Sequence, residues 1–360
     1  MNGARKRAPN PPRRTLAGGT PCRAKSMDSM RRPSPSGSGP LLFRIVIAAS
    51  LSLVLLLVAL GRFEAPSLLR IGTNQWPGYE PLYLARADGA YSDAPIQLIE
   101  LPSSSDVMQQ LRDGVLEGGA LTLDETLTLI SEGVDLIVVL VMDISNGADA
   151  LLARPGIEQL ADLRDHVLGV ELSAVGAVML DAVLEAGKLK MDNLKIISMP
   201  VDRHLRAFES GKVDALITFE PTRSLLLDRG AQLLFDSSRI PNRIIDVLAV
   251  RRDVLREHGD GPRQLLRGYF AAHARMRSDP DGSARRMAPR LNLNSEQLLA
   301  AYRGLILPDL DENRRWLNGG NARIIPIARH LAALMLNHGL TSRLPESQDL
   351  HSGAWLPGSP

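Results

Sequence analysis

From Leu68 onward the chain alternates between short β-branched or leucine-rich runs and segments of helical periodicity, and this alternation limits the possible folds more than any other feature. Leu69–Thr73 reads as a strand. Pro81 suits the first helical position, and the helix Leu82–Asp88 is closed by Gly89. Ile96–Leu101 is a second strand; Ser103–Ser105 supply an N-cap for Asp106–Arg112, which ends at Gly114. Gly118–Leu121 leads into Thr122-Leu-Asp-Glu125, a capping-box pattern in which the threonine hydroxyl and the glutamate satisfy each other's backbone donors. The unbroken apolar run Leu136–Met142 implies a strand covered on both faces.

The pattern restarts after Pro155. Leu160–Arg164 is a helical turn, Val167–Glu171 a strand, and Ser173-Ala-Val-Gly176 opens the helix Ala177–Ala186, stopped by Gly187. Strands follow at Leu194–Met199, Ala215–Thr218, Leu233–Phe235 and Asp246–Arg251, with a helix over Arg203–Ser210. Such alternation predicts an α/β fold with mainly parallel sheets. The last part is helical (Arg263–Arg277, Gly282–Met287, Ser295–Leu305, Arg323–Leu340) and needs an existing lobe to pack on. The simplest arrangement is one lobe from 68–150 and 248–340, a second from 151–247, and a flexible polar tail from 341–360.

Charge divides the chain before the folded part begins. Residues 1–44 hold ten Lys/Arg and one acid, Asp28, whereas the rest holds 32 basic and 39 acidic residues. A mildly acidic body argues against nucleic acid as a partner. Residues 1–40 are rich in Arg, Pro, Gly and Ser and read as a disordered basic tail. Residues 41–61 contain the uncharged run Ile45–Gly61, of a length shared by signal-peptide cores and short membrane anchors, with small residues at Ala59-Leu-Gly61 placed for cleavage. Basic residues before the run place the body outside the cytoplasm, and the N-terminus inside if the anchor stays uncleaved. The lone cysteine, Cys22, lies in the tail, so the folded body carries no disulfide, thiol nucleophile or cysteine metal site.

Three segments together resemble a known family: Asn74-Gln-Trp-Pro-Gly-Tyr-Glu-Pro-Leu-Tyr-Leu-Ala85, Asp143-Ile-Ser-Asn-Gly-Ala-Asp149 and Phe208-Glu-Ser-Gly-Lys-Val-Asp-Ala-Leu-Ile-Thr-Phe-Glu-Pro221. In order and spacing they are similar to motifs of the type II periplasmic binding proteins of the nitrate, sulfonate/taurine and thiamine-pyrimidine-precursor group. The resemblance spans roughly residues 68–340. It implies two α/β lobes joined by a two-strand hinge that close over a small solute, and delivery of that solute to the permease and ATPase subunits of an ABC importer. The chain departs from commoner members in its long basic tail and in lacking a lipid-anchor cysteine.

In α/β sheets, loops at the carboxyl ends of strands converge on one crevice, and this places the ligand candidates without help from any family. Trp76 and Tyr79 follow the first strand, Thr122 and Asp124 the third, and Asp143 and Asn146 the last run of the first lobe. Ser173 and Ala174 open the second lobe, Glu220 follows the 215–218 strand, and Asp246 lies at the return crossing. The aromatic pair offers flat faces to a planar or apolar solute, or else caps its lobe as a plug. Free N–H groups at Ser173–Gly176 suit an anion unless Ser173 caps its own helix. The carboxylates at strand ends favour an amine- or pyrimidine-like solute over nitrate or a sulfonate, which require positive charge.

Catalytic constellations are thin. The histidines show no metal-type spacing, and neither a nucleophile elbow nor a Walker loop occurs. The expectation is a monomeric, cofactor-free, non-enzymatic solute receptor on the periplasmic or extracytoplasmic face of the membrane. A ligand-sensing module of a signalling system is the alternative reading, and a pyrimidine-precursor enzyme a more distant one.

Overall fold

The computed structural model describes residues 43–52, 68–172, 174–258, 260–337 and 350–358. Residues 43–52 are helical and exposed and belong to a unit separate from the rest. Among the described residues no helix is long and apolar enough to cross a membrane. The expected tail 1–40, most of the expected span 41–61 and the Ala59–Gly61 cleavage position lie outside the described residues.

The main unit opens with β1 (Leu69–Thr73), α1 (Glu80–Ala87), β2 (Ile96–Glu100), α2 (Ser104–Arg112), β3 (Gly118–Thr122), α3 (Leu123–Ser131) and β4 (Leu136–Ser145). Helix α1 begins two residues ahead of the sequence expectation, because a 3₁₀ turn over Pro77–Tyr79 feeds directly into it and leaves Pro81 in the first turn, where its missing N–H costs nothing. Ser103 caps α2, accepting from the Asp106 amide at 3.2 Å. The capping box of α3 is present in both directions: the Glu125 amide donates to Thr122 Oγ1, and the Thr122 amide donates to Glu125 Oε2. Every residue of β4 is buried, in keeping with its continuous apolar run.

The second set comprises β5 (Asp149–Ala153), β6 (Val167–Val170), α4 (Ala174–Gly187), β7 (Lys195–Ser198), α5 (His204–Glu209), β8 (Ala215–Phe219), α6 (Thr222–Leu227), β9 (Gln232–Asp236) and β10 (Ile245–Arg251). Then follow α7 (Val254–Glu257), α8 (Gly261–Ser278), α9 (Pro280–Met287), α10 (Ser295–Tyr302), β11 (Leu305–Ile306), α11 (Leu310–Leu317) and α12 (Ile324–Asn337).

Two sheets organise these elements, with orders β11-β4-β10-β3-β1-β2 and β7-β6-β8-β5-β9. Each is mixed around a parallel core: β2, β1 and β3 run parallel in the first, and β7, β6 and β8 in the second. The strands nearest the crossings are antiparallel, β10 against β3 and β4, and β5 against β8 and β9. The chain leaves the first sheet between Ser145 and Asp149 and has rejoined it by Ile245. Both points precede the expected boundaries of 150/151 and 247/248, since β10 pairs with β4 from its first residue. At the outward crossing Gly147 adopts φ +120°, a conformation that side-chain-bearing residues rarely take. Its amide and the Ser145 hydroxyl both meet Ser237 Oγ at 2.7 Å, which ties the two crossings together.

The first sheet is covered on one face by α1 and α8, through Leu82, Leu266 and Tyr269, and on the other by α3, α11 and α12, through Leu127, Trp316 and Leu331. The expected flexible tail 341–360 needs correction over 350–358. Leu350 and Leu356 are buried, and His351 lies parallel beside Val138 of β4. Val138 donates to the Leu350 carbonyl and accepts from the Ser352 amide. Two apolar anchors and a strand-like pair of hydrogen bonds outweigh the polar composition of this segment. Residues 341–349 lie outside the described set.

Candidate functional site

A narrow cavity of about 20 Å³ lies between the two sheets, at the carboxyl ends of β1, β3 and β8. From the first lobe it is lined by Asn74, Trp76 and Tyr79 after β1, by Ser104, and by Thr122 and Glu125 at the start of α3. Asp149, Val175, Phe219, Ile244 and Asp246 complete the wall. Among the described residues no lysine or arginine lines it.

Trp76 and Tyr79 are buried members of the first lobe's apolar cluster and also line the cavity, so they act as core on one side and as wall on the other. Their polar ends are held by acids from two adjacent antiparallel strands. Trp76 Nε1 donates to Asp143 Oδ2 at 3.0 Å, and the Tyr79 hydroxyl donates to Asp246 Oδ1 at 2.5 Å. Asp143 and Asp246 face one another in register across β4 and β10. Gly78 makes this arrangement possible, because a Cβ there would lie 1.7 Å from Asp143 Oδ2. Across the cleft, Trp76 meets Phe219 edge to face, with ring centroids 5.6 Å apart at 84°. The Ser105 hydroxyl likewise reaches over to Glu171 Oε1 at 2.7 Å.

The electrostatics are unusual for so small a volume. Asp124, Glu125, Asp143, Asp149 and Asp246 are all buried. Burial, followed by repulsion from Glu125, pushes the Asp124 carboxyl up to about 7. Burial does the same to Asp149 and Asp143, each raised to about 7 against the lowering effect of hydrogen bonds from Ser145 and Trp76 respectively. Asp246 is pushed well up by burial and by the Asp143 charge. Unpartnered oxygens remain on Asn74, Asp124, Asp143 and Asp149. Buried acceptors without donors are costly, and of these four residues Asn74 and Asp149 line the cavity.

Several sequence candidates therefore converge, and others do not. Trp76, Tyr79, Thr122 and Asp246 reach the cavity wall, and Asp143 stands directly behind Trp76. Asp124 is buried but lies off the wall. Asn146 is exposed at the outward crossing, where its amide donates to the Gly304 carbonyl, so the ligand role expected for it finds no geometric support. Glu220 is fully buried, yet both its oxygens are used locally, by Arg223 Nη1 and by the amide and hydroxyl of Ser224, which makes it an anchor for α6. Ser173 lies outside the described residues, and of Ala174 only the backbone, at the start of α4, is described.

Residues not singled out from sequence include Asn74, Ser104, Glu125, Asp149 and Phe219. Each carried a signal that was read otherwise: Glu125 as a helix cap, Ser104 within a capping run, and Asp149 and Phe219 as members of longer motifs. Glu125 does both jobs, since it closes the capping box, accepts from Ser104 Oγ at 2.7 Å and faces the cavity.

Two α/β lobes on mixed sheets, joined by paired crossings and enclosing a cavity at their strand ends, define the type II periplasmic binding protein fold. The chain belongs to the NMT1-like family, whose model matches residues 64–292. It is similar to a protein of Escherichia coli (strain K12) named for the binding of aliphatic sulfonates, with 24% identity over 302 residues, covering 82% of this chain and 90% of the relative. Among solved structures it resembles the ligand-binding component of an ABC-type import system from Staphylococcus aureus (15% identity, TM-score 0.68, 82% of this chain and 99% of that one). The desulfurization enzyme DszB shares the fold as well, at 17% identity and TM-score 0.61 over 81% of this chain and 98% of the enzyme.

Proposed function

We propose that this chain is the extracytoplasmic solute-binding component of an ABC importer and that its solute carries a cationic, hydrogen-bond-donating group. The importer role draws support from family membership and from the named relatives. The choice of solute rests on one observation: Glu125, Asp149 and Asp246 line the inter-lobe cavity with no lysine or arginine among its described lining residues. A sulfonate needs donors and positive charge, whereas this wall offers carboxyl oxygens and two aromatic rings. The chain shares its fold with relatives named for sulfonate binding, while its own cavity wall is acidic.

In this reading Trp76 and Tyr79 provide apolar faces, Asp149 and Asp246 neutralise the cation, and Ser105–Glu171 and Trp76–Phe219 hold the lobes together once the solute is inside. Lobe closure about the two crossings then presents a single compact surface to the permease. The role is binding, with the solute released unchanged.

A calorimetric and thermal-shift comparison of butylammonium with butanesulfonate tests this. Butylammonium should raise Tm and produce a measurable binding heat, and butanesulfonate should do neither. Stabilisation by the sulfonate alone would overturn the charge assignment. Recovery of an altered product after prolonged incubation would overturn the binding role.

A further inference from the structure

A second cavity, of about 460 Å³, lies on the same inter-lobe seam. Phe219 lines both, so one half-buried ring, edge-on to Trp76, is a shared partition between them. The outer chamber takes Gln75, Leu101 and Leu291 from the first lobe and Leu205, Pro221 and Leu225 from the second. Its acidic lining residues are Glu100 and Asp202, and again no lysine or arginine is among its described lining residues. The volumes contrast in a useful way. The inner chamber holds roughly one water-sized group, since a cavity needs about 10–15 Å³ for that. The outer one falls within the range of about 300–1,000 Å³ typical of small-molecule sites.

The geometry points to a single divided site: a head subsite at Asp149, Asp246 and Glu125, and a tail subsite against Leu205, Leu225 and Leu291, with Phe219 between them. This rests on the cationic-solute reading above and narrows it. An ammonium or similarly compact cationic head matches the inner chamber in size and charge, and the remainder of the solute must lie outside Phe219. Because the outer walls are largely apolar and Glu100 is already paired with Arg290, that remainder is uncharged and largely hydrocarbon. A solute with a carboxylate or sulfonate at its far end meets only the Arg290 guanidinium at the margin, already held by Glu80 and Glu100. The class is therefore an elongated monocationic amine, with zwitterions bound more weakly.

The test is a homologous series of n-alkylammonium ions, from methyl to octyl, titrated calorimetrically into the intact protein beside the ω-amino carboxylates of matched length. Affinity should rise about fourfold per methylene once the chain passes the partition, as expected for apolar carbon moved out of water. The ω-amino carboxylates should bind at least tenfold more weakly than alkylammonium ions of the same length. Equal affinity for methyl- and octylammonium would overturn the divided site and leave the cationic head site standing. Equal affinity for the amino carboxylates would overturn the weaker binding of zwitterions. Failure of every ammonium ion to bind would remove this inference together with the solute assignment on which it rests.

Discussion

Gly78 shows how little freedom individual residues have around the cavity. Its α-carbon sits where a methyl group would lie 1.7 Å from Asp143 Oδ2 and 2.7 Å from Trp76 Nε1. Gly78→Ala must therefore break the Trp76–Asp143 hydrogen bond or displace the 3₁₀ turn. The expected loss is about 1–3 kcal/mol, the usual cost of overpacking, read as a lower urea midpoint at unchanged m-value. An unchanged midpoint would mean that the turn is more pliant than its contacts imply. Residue identity alone made Trp76 and Tyr79 visible as candidates, but it could not reveal that their rings serve as core and cavity wall at once. Glu220 is engaged for a local reason: Arg223 and Ser224, three and four residues on, fall within reach of its carboxylate. Asp149 lies inside a motif visible in the sequence, but its place on the cavity wall depends on two crossings that converge from distant parts of the chain.

At the scale of elements, local signals were legible where they were self-contained. The capping box of α3 is such a case, with donor and acceptor three residues apart. Thr122→Ala should cost about 1 kcal/mol through loss of the cap, measurable by thermal or chemical denaturation, and a loss below a few tenths would show that Glu125 alone secures the helix start. Elements without such signals were missed. β5 (Asp149–Ala153) reads as a generic apolar stretch, and its strand character comes from pairing with β8 and β9 on either side. Helices α6 and α7 are short, with only six and four residues. Segments of that length are held by tertiary contacts more than by intrinsic propensity. Helix α11 carries Asn313, whose buried side chain bonds the β4 backbone at Val141 in both directions; sequence periodicity gives no hint of such a role.

At the scale of the whole molecule, the buried acids dominate the response to pH. Asp124, Asp143, Asp149, Glu171 and Glu80 each have carboxyls raised to about 7 in the folded state, with burial the leading cause. A raised acid binds its proton more tightly when folded, so its contribution is complete below the unfolded value near 4 and is lost as pH rises through 7. His204 acts in the opposite sense. Burial lowers it to about 4, so it favours the folded state above 6.5 and loses that benefit as pH falls toward 4. Five acids outweigh one such histidine, and Tm should fall between pH 5.5 and pH 8. An ammonium ligand should recover only the share that comes from Asp149, the one of these five acids that lines the cavity. A Tm that rises over the same interval would contradict the burial of these groups. The two-lobe plan was the most legible feature at this scale, because alternating elements restarted after a clear break. The cavity was the least legible, because it is assembled from both lobes.

The segment 350–358 has a meaning for how the protein behaves in company. β4 is flanked by β10 on one side, while β11 covers only its Ile144–Ser145 end on the other. His351 and its neighbours occupy that open margin at Val138. Without them a stretch of buried, fully apolar strand would present free N–H and C=O groups at a sheet edge, the template on which chains stack. Residues 350–358 thus shield that edge. A chain truncated after residue 349 should remain foldable yet self-associate with rising concentration, seen by sedimentation velocity as species larger than those of the full chain. If the truncated protein sediments like the full chain, some other segment must be shielding that edge.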